Sequence, residues 1–250
     1  MLQGFVPYPP EFAARYRAKG YWQDKSLAQE FNAVYARFSD RTALVDGDVS
    51  LSYADLDRLS TNLALNLLEI GLQPLDRVVP TLPNVHEFVV LYFALQKIGA
   101  IPIAALVTHR YAEISQFVNL SGATTCVYPD VMGDFHFSPV IDRVAAENTA
   151  LRIRIVLGQA KPGEHSLREL IDRPAQLPAS RLAEIAIDPT DPCIFQLSGG
   201  TTGIPKLIPR TNNDYAYNSK VAASVCEVDA ESVLLLVLPI AHNLPLACPG

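Results

Sequence analysis

Residues 195–211 read FQLSGGTTGIPKLIPRT, and the fold turns on what this stretch is. Gly199, Gly200 and Gly203 can take positive φ and let backbone amides approach a ligand closely. Successive amides in such a turn form an anion-binding concavity. Ser198, Thr201 and Thr202 add hydroxyl donors, and Lys206 adds a compact positive charge suited to phosphate oxygens. Together these groups suit a triphosphate tail. The stretch is not a Walker A loop, because Ile204 and Pro205 separate Gly203 from Lys206, and it is not a Rossmann turn, because GxGxxG is absent. The apolar, β-prone KLIP that follows makes it the connection of a β-hairpin, with the next helix starting near 212–214 and running through YAYNSKVAASVCE. The alternative is an ordinary glycine-rich turn, since turns gather Gly, Ser, Thr and Pro. A turn needs only one or two glycines, so the hydroxyls and the lysine favour phosphate.

Outward from the loop, strand-like and helix-like segments alternate. Ser26 with Gln29 forms a capping-box pattern before LAQEFNAVYARF. Ser52 with Asp55 opens a helix in which Leu56, Leu59, Leu63, Leu67 and Ile70 recur at helical spacing before Gly71 stops it. Asn84 is expected to open VHEFVVLYFALQKI, which Gly99 closes. The β-rich runs are RVVPTL (77–82), AIPIAA (100–105), TTCVYP (124–129), RIRIVLG (152–158), CIFQLS (193–198) and VLLLVLP (233–239). The longest apolar run, VLLLVLPIA (233–241), is far too short to span a bilayer and is expected to be a buried strand. This alternation predicts an α/β fold: layered sheets of buried, largely parallel strands flanked by helices. The segment 161–191, rich in proline and charge, is expected to be a surface excursion with one short helix and a candidate subdomain break.

The chain has 250 residues, 49% hydrophobic and 18% charged, which is a globular balance with room for one large domain or two small ones. A net charge of −6 gives no basic field for nucleic acid or an anionic membrane, so neither partner is expected and an anion must be held by local groups. Cys126, Cys193, Cys226 and Cys248 are scattered, with no CxxC or Cys/His cluster. No zinc site or disulfide framework is expected, and a reduced, cytoplasmic protein is. The N-terminal MLQGFVPYPPEFAARYRAKGYW has no apolar core of signal-peptide type. His86 and His109 read as surface residues, Tyr215 and Tyr217 as packing residues, and Arg210 as a support for the loop.

LSGGTTGIPKLIPRT resembles the phosphate-loop signature of the adenylate-forming enzymes: acyl-CoA synthetases, peptide-synthetase adenylation domains and luciferases. Other segments agree in order. LSYADLDRLSTNLALNL (51–67) and ALQKIGAIPIAAL (94–106) are similar to the family's early helix motifs, and LPIAHNLPLACPG (238–250) to its acyl-pocket segment. YPPEFAARYRAKGYW (8–22), KLIPRTNNDY and AHN resemble one branch, the aryl-acid–AMP ligases of siderophore pathways. The resemblance covers nearly the whole chain as the N-terminal portion of the family's large domain. Family members are considerably longer, with a small C-terminal lid domain. The expectation is therefore an incomplete adenylation domain, 1–250, with little ligase activity alone.

The resemblance implies ATP and Mg²⁺ as cofactors and an aromatic carboxylic acid as substrate. It implies an aryl-adenylate with release of pyrophosphate, then transfer to the phosphopantetheine thiol of an aryl carrier protein. Ser198, Gly199, Gly200, Thr201, Thr202, Gly203 and Lys206 would hold the phosphates, with Lys206 and His242 catalytic. His242, Asn243 and Cys248 would line the aryl pocket. Asn243 offers a donor and an acceptor for a ring hydroxyl, although His and Asn also cap strand ends for backbone reasons alone. Branch members that take 2,3-dihydroxybenzoate tend to carry serine at the position of Cys248, and those that take salicylate tend to carry cysteine. A thiol is a weak hydrogen-bond partner, which favours salicylate, although an incidental buried cysteine is the alternative. Two other readings remain open: an aryl- or acyl-CoA synthetase, and a non-catalytic nucleotide-binding remnant.

Overall fold

The computed structural model describes residue 2, residues 4–198 and residues 205–247. In chain order its elements are α1 (Pro10–Ala18), α2 (Leu27–Phe38), β1 (Thr42–Asp46), β2 (Val49–Ser52), α3 (Tyr53–Glu69), β3 (Arg77–Pro80), α4 (His86–Ile98), β4 (Ile101–Pro102), α5 (Tyr111–Ser121), β5 (Thr125–Pro129), β6 (Val131–Met132), β7 (Phe135–His136), α6 (Ser138–Glu147), β8 (Ile153–Leu157), β9 (His165–Ser166), α7 (Leu167–Asp172), α8 (Ser180–Ala183), β10 (Pro192–Leu197), β11 (Leu207–Thr211), α9 (Asn212–Val225) and α10 (Asn243–Ala247).

The centre is a parallel five-stranded sheet in the order β4-β3-β5-β8-β9. Successive residues of a strand point to opposite faces, so a strand buried on both sides feeds two cores. Val78, Val127 and Ile155 enter one core, with Leu63 and Leu67 of α3, Leu91 and Leu95 of α4 and Leu167 and Leu170 of α7. Val79, Cys126, Tyr128 and Val156 enter the other, with Ile114 and Phe117 of α5 and Ile141 and Val144 of α6. The α/β layering read from the sequence is the observed architecture.

The local signals act as expected at most helix ends. Ser26 with Gln29 and Ser52 with Asp55 form complete capping boxes, and Gly99 ends α4 at φ +73°, a left-handed conformation that glycine takes without strain.

Three expectations are corrected. Asn84 does not cap α4. The N-cap is Val85, which offers no side chain, and the amide of His86 donates instead to Asp46 Oδ2 of β1 at 2.9 Å. A side-chain cap is worth about 1 kcal/mol, and here a neighbouring strand supplies it. The segment 161–191 is more than a surface excursion. It holds two short helices and adds β9 to the sheet, because Leu167, Leu170 and Ile171 make an apolar face. The carboxamides of Asn62 and Asn66 on α3 donate to the carbonyls of Ile171 and Leu170 at 2.7 and 2.9 Å. Finally, 233–239 is not a strand. Val233, Leu235 and Val237 are 96%, 82% and 78% exposed, and no described strand pairs with them. A strand needs a neighbour to take its backbone hydrogen bonds as well as apolar side chains.

Candidate functional site

The glycine-rich stretch is the connection of a hairpin, as expected. Strands β10 and β11 pair antiparallel up to Leu197 opposite Leu207. The ladder then closes through Ser198 N–H to Lys206 O at 3.1 Å and Lys206 N–H to Ser198 Oγ at 2.9 Å. Ser198 and Lys206 therefore form the neck of the loop, with Lys206 exposed. Gly199, Gly200, Thr201, Thr202 and Gly203 lie outside the described residues, as does Cys248. The hairpin is tied to the main sheet beside β4 by the parallel bridge of Ile103 with Phe195 and by Ala104 N–H to Phe195 O at 2.9 Å.

Helix α9 starts directly where β11 ends. Thr211 and Asp214 make a capping box, with Asp214 Oδ2 accepting from Thr211 N at 2.8 Å. The other oxygen of Asp214 accepts from Arg210 Nε at 2.5 Å. Burial disfavours the charge on Arg210, but the Asp214 bond and its negative charge outweigh burial and raise the guanidinium's pKa. Across the hairpin, Gln196 Nε2 donates to Tyr215 Oη at 2.9 Å, both side chains being buried. Tyr215 thus packs, as expected, and also fixes β10 to α9. The local pairs of this network, Thr211 with Asp214 and Arg210 with Asp214, were readable as capping and i,i+4 patterns. The Gln196/Tyr215 bond was not, because it joins two elements.

The start of α9 also holds the N-terminal segment. Asn213 Oδ1 accepts from Asp24 N at 3.0 Å, and Asn213 Nδ2 donates to Asp24 Oδ1 at 2.9 Å. Asn212 Oδ1 accepts from Leu27 N at 3.0 Å, and Tyr21 stacks on Tyr217 with centroids 4.5 Å apart. Asp24 sits at φ +52°, and the Arg17 guanidinium bonded to it holds its carboxyl below the usual range.

The second group of expected site residues lies at α10. His242 is exposed and works as the cap of this short helix, its Nδ1 accepting from Leu244 N at 3.2 Å. That bond places the proton of a neutral ring on Nε2. Asn243 is half-buried, and its Oδ1 is fully buried with no hydrogen-bond partner among the described residues. An unmet buried acceptor costs about 1–3 kcal/mol. The α9 and α10 helices touch through Asn218 Nδ2 to Ala247 O at 3.2 Å. A small apolar cavity of about 10 Å³ lies between Ala241 and Leu246 on one side and Ile194, Ala104 and Tyr92 on the other. A larger cavity, about 260 Å³, is lined by Gln96, Asp188, Asp191 and Asn212 among others, and none of the expected site residues lines it.

Among the described residues, Asp46, His86 and Glu87 are near enough to share a metal ion. Two of them already have partners: His86 Nδ1 lies 3.0 Å from Asp46 Oδ2, and Glu87 Oε1 is paired with Arg168 at 2.7 Å.

The class the fold defines is a layered α/β protein whose parallel sheet is extended beyond β4 by the β10/β11 hairpin. The comparison with known families makes this specific: residues 31–249 match the AMP-binding enzyme model, and the chain belongs to that family. It is 41% identical over 254 residues to a salicyl-AMP ligase / salicyl-S-ArCP synthetase of Mycobacterium tuberculosis, covering 100% of this chain and 44% of that protein. It is 38% identical over 250 residues to a 2,3-dihydroxybenzoate-AMP ligase of Bacillus subtilis, covering 100% of this chain and 45% of that protein. The apo structure of Mycobacterium smegmatis MbtA superposes with a TM-score of 0.90 at 40% identity, over 99% of this chain and 45% of that one. The chain thus spans under half the length of these relatives.

Proposed function

We propose that the whole protein is an ATP-dependent aryl-acid–AMP ligase of siderophore biosynthesis, that it takes salicylate in preference to 2,3-dihydroxybenzoate, and that it passes the aryl group to a carrier protein. A carboxylate oxygen of the acid attacks the α-phosphorus of ATP, and the bond to pyrophosphate breaks. The thiol of phosphopantetheine then attacks the acyl carbon, and AMP leaves. The substrates that name these relatives, salicylate and 2,3-dihydroxybenzoate, support the substrate class, and the name salicyl-S-ArCP synthetase supports the acceptor.

Two features support the reading on this chain. One is the hairpin neck of Ser198 and Lys206, which brackets the Gly/Ser/Thr stretch of the sequence. The other is the unmet acceptor of Asn243, suited to a ring hydroxyl. Ser198, Gly199, Gly200, Thr201, Thr202, Gly203 and Lys206 orient the phosphates by amide and hydroxyl donation and by charge. Such donors act by positioning and by meeting charge as it develops. Mg²⁺, if bound together with ATP, would supply neutralisation of phosphate charge. His242 would use its Nε2–H as a donor near the acid or the α-phosphate. Cys248, a weak hydrogen-bond partner, suits a ring without a 3-hydroxyl. We assign the protein to the cytoplasm, where ATP and carrier proteins are found. No described helix is long and apolar enough to cross a membrane.

The test is ATP–pyrophosphate exchange by the full-length protein with salicylate, benzoate and 2,3-dihydroxybenzoate in parallel. Salicylate should exchange fastest, and Lys206→Ala should lower the rate about 10²-fold, the size seen when one preorganised donor is lost. Exchange with none of the three acids would overturn the reading.

A further inference from the structure

Asn84 stands immediately before α4 and leaves the capping of that helix to Asp46. Its carboxamide is turned instead onto the chain 152–156 residues further on. Nδ2 donates to Leu238 O at 2.8 Å and, at the long limit of 3.5 Å, to Leu236 O. Oδ1 accepts from Ile240 N at 2.7 Å. One side chain thus supplies a donor and an acceptor to alternate backbone groups, which is what the edge of a neighbouring strand would do.

The segment it holds has little else of that kind. Val233, Leu235 and Val237 project into solvent, and the backbone there is irregular. At Ile240 and Ala241 the chain becomes buried, and His242 and Asn243 follow at once. The support behind Asn84 is rigid, since α4 buries Phe88, Leu91 and Leu95 in the core. From this geometry we infer that Asn84 is a positioning residue for the aryl-acid pocket: it transfers the fixed placement of α4 to the backbone that carries His242 and Asn243. The inference rests on the aryl-acid reading above. Reacting groups must be held to within a fraction of an ångström, and a misplacement of about 1 Å from a remote change costs on the order of 10²-fold in rate. Asn84 itself touches no reacting atom, and because it is exposed its replacement leaves the core intact.

The experiment uses the full-length protein and the variants Asn84→Ala and Asn84→Asp. The aspartate keeps the acceptor for Ile240 and loses the donor to Leu238, so it should fall between wild type and alanine. In hydrogen–deuterium exchange, a peptide covering 236–242 should exchange about tenfold faster in Asn84→Ala, while a peptide from α4 stays unchanged. In pyrophosphate exchange, the KM for the aryl acid should rise roughly 5- to 20-fold, with the KM for ATP within about twofold of wild type. Unchanged protection at 236–242 would overturn the inference. So would faster exchange there with an unchanged aryl-acid KM, or KM values for acid and ATP that rise together. A wild type without any aryl-acid-dependent exchange would remove the aryl-acid reading and this inference together. It is told apart from failure of Asn84 alone, in which the wild type turns over normally.

Discussion

CIFQLS at 193–198 and VLLLVLP at 233–239 carry the same signal, a short run of β-prone apolar residues, and they have opposite fates. Ile194 is fully buried, and Val233 is almost fully exposed. The first run has β11 along one edge, a bridge to Ile103 along the other, and α9 held against it through Gln196 and Tyr215. The second has the carboxamide of Asn84 and the partly buried side chain of Leu236. Composition sets which segments are able to be strands. The presence of an edge to pair with decides which of them are.

Four substitutions test that contrast, in falling order of expected effect. Ile194→Ala empties a fully buried site and should cost about 2–5 kcal/mol in chemical denaturation. A loss below about 1 kcal/mol would mean that β10 is no better anchored than the exposed run. Tyr215→Phe leaves the buried amide of Gln196 without its hydroxyl partner and should cost about 1–3 kcal/mol by the same measurement.

Asp24→Asn tests the attachment of the N-terminal segment to α9. The Arg17 bond depresses the carboxyl's folded pKa, so the carboxylate contributes stability above its unfolded pKa, about 4, and that contribution is lost as pH falls through the lower folded value. Asparagine tolerates the left-handed backbone at this position. The variant should therefore be weaker than wild type at pH 7 and equal to it near the acid limit. The side chain is about half exposed, so the gap should stay below about 1 kcal/mol. A gap that widens in acid would contradict the sign. Leu235→Ser, in the exposed run, should change stability by no more than about 0.5 kcal/mol while lowering self-association in light scattering. A larger loss would show that the run packs.

Much of the fold was legible wherever its cause is local. The capping boxes at Ser26 and Ser52, the stop at Gly99 and the runs that became β3, β5, β8 and β10 each follow from residues within a few positions of one another. The hairpin followed in the same way from KLIP; the bonds of its neck did not. What escaped is non-local. Asn84 looked like a helix cap because nothing in its own neighbourhood announces Leu238 and Ile240, and Asp46 reaches its helix from another strand. The apolar face of α7 was hidden by the proline and charge around it. At the candidate site, Ser198, Lys206, His242 and Asn243 were named from local pattern and resemblance. The unmet acceptor of Asn243 and the lock of Gln196 on Tyr215 depend on packing that no local window contains.

The neck of the hairpin has a consequence for how its serine can be used. A hydroxyl has two lone pairs and one hydrogen, and the amide of Lys206 occupies only a lone pair of Ser198 Oγ. No described residue accepts its hydrogen. One atom can therefore fasten the turn and still keep a donor for a second bond, a double duty that threonine would preserve and alanine would abolish at a stroke.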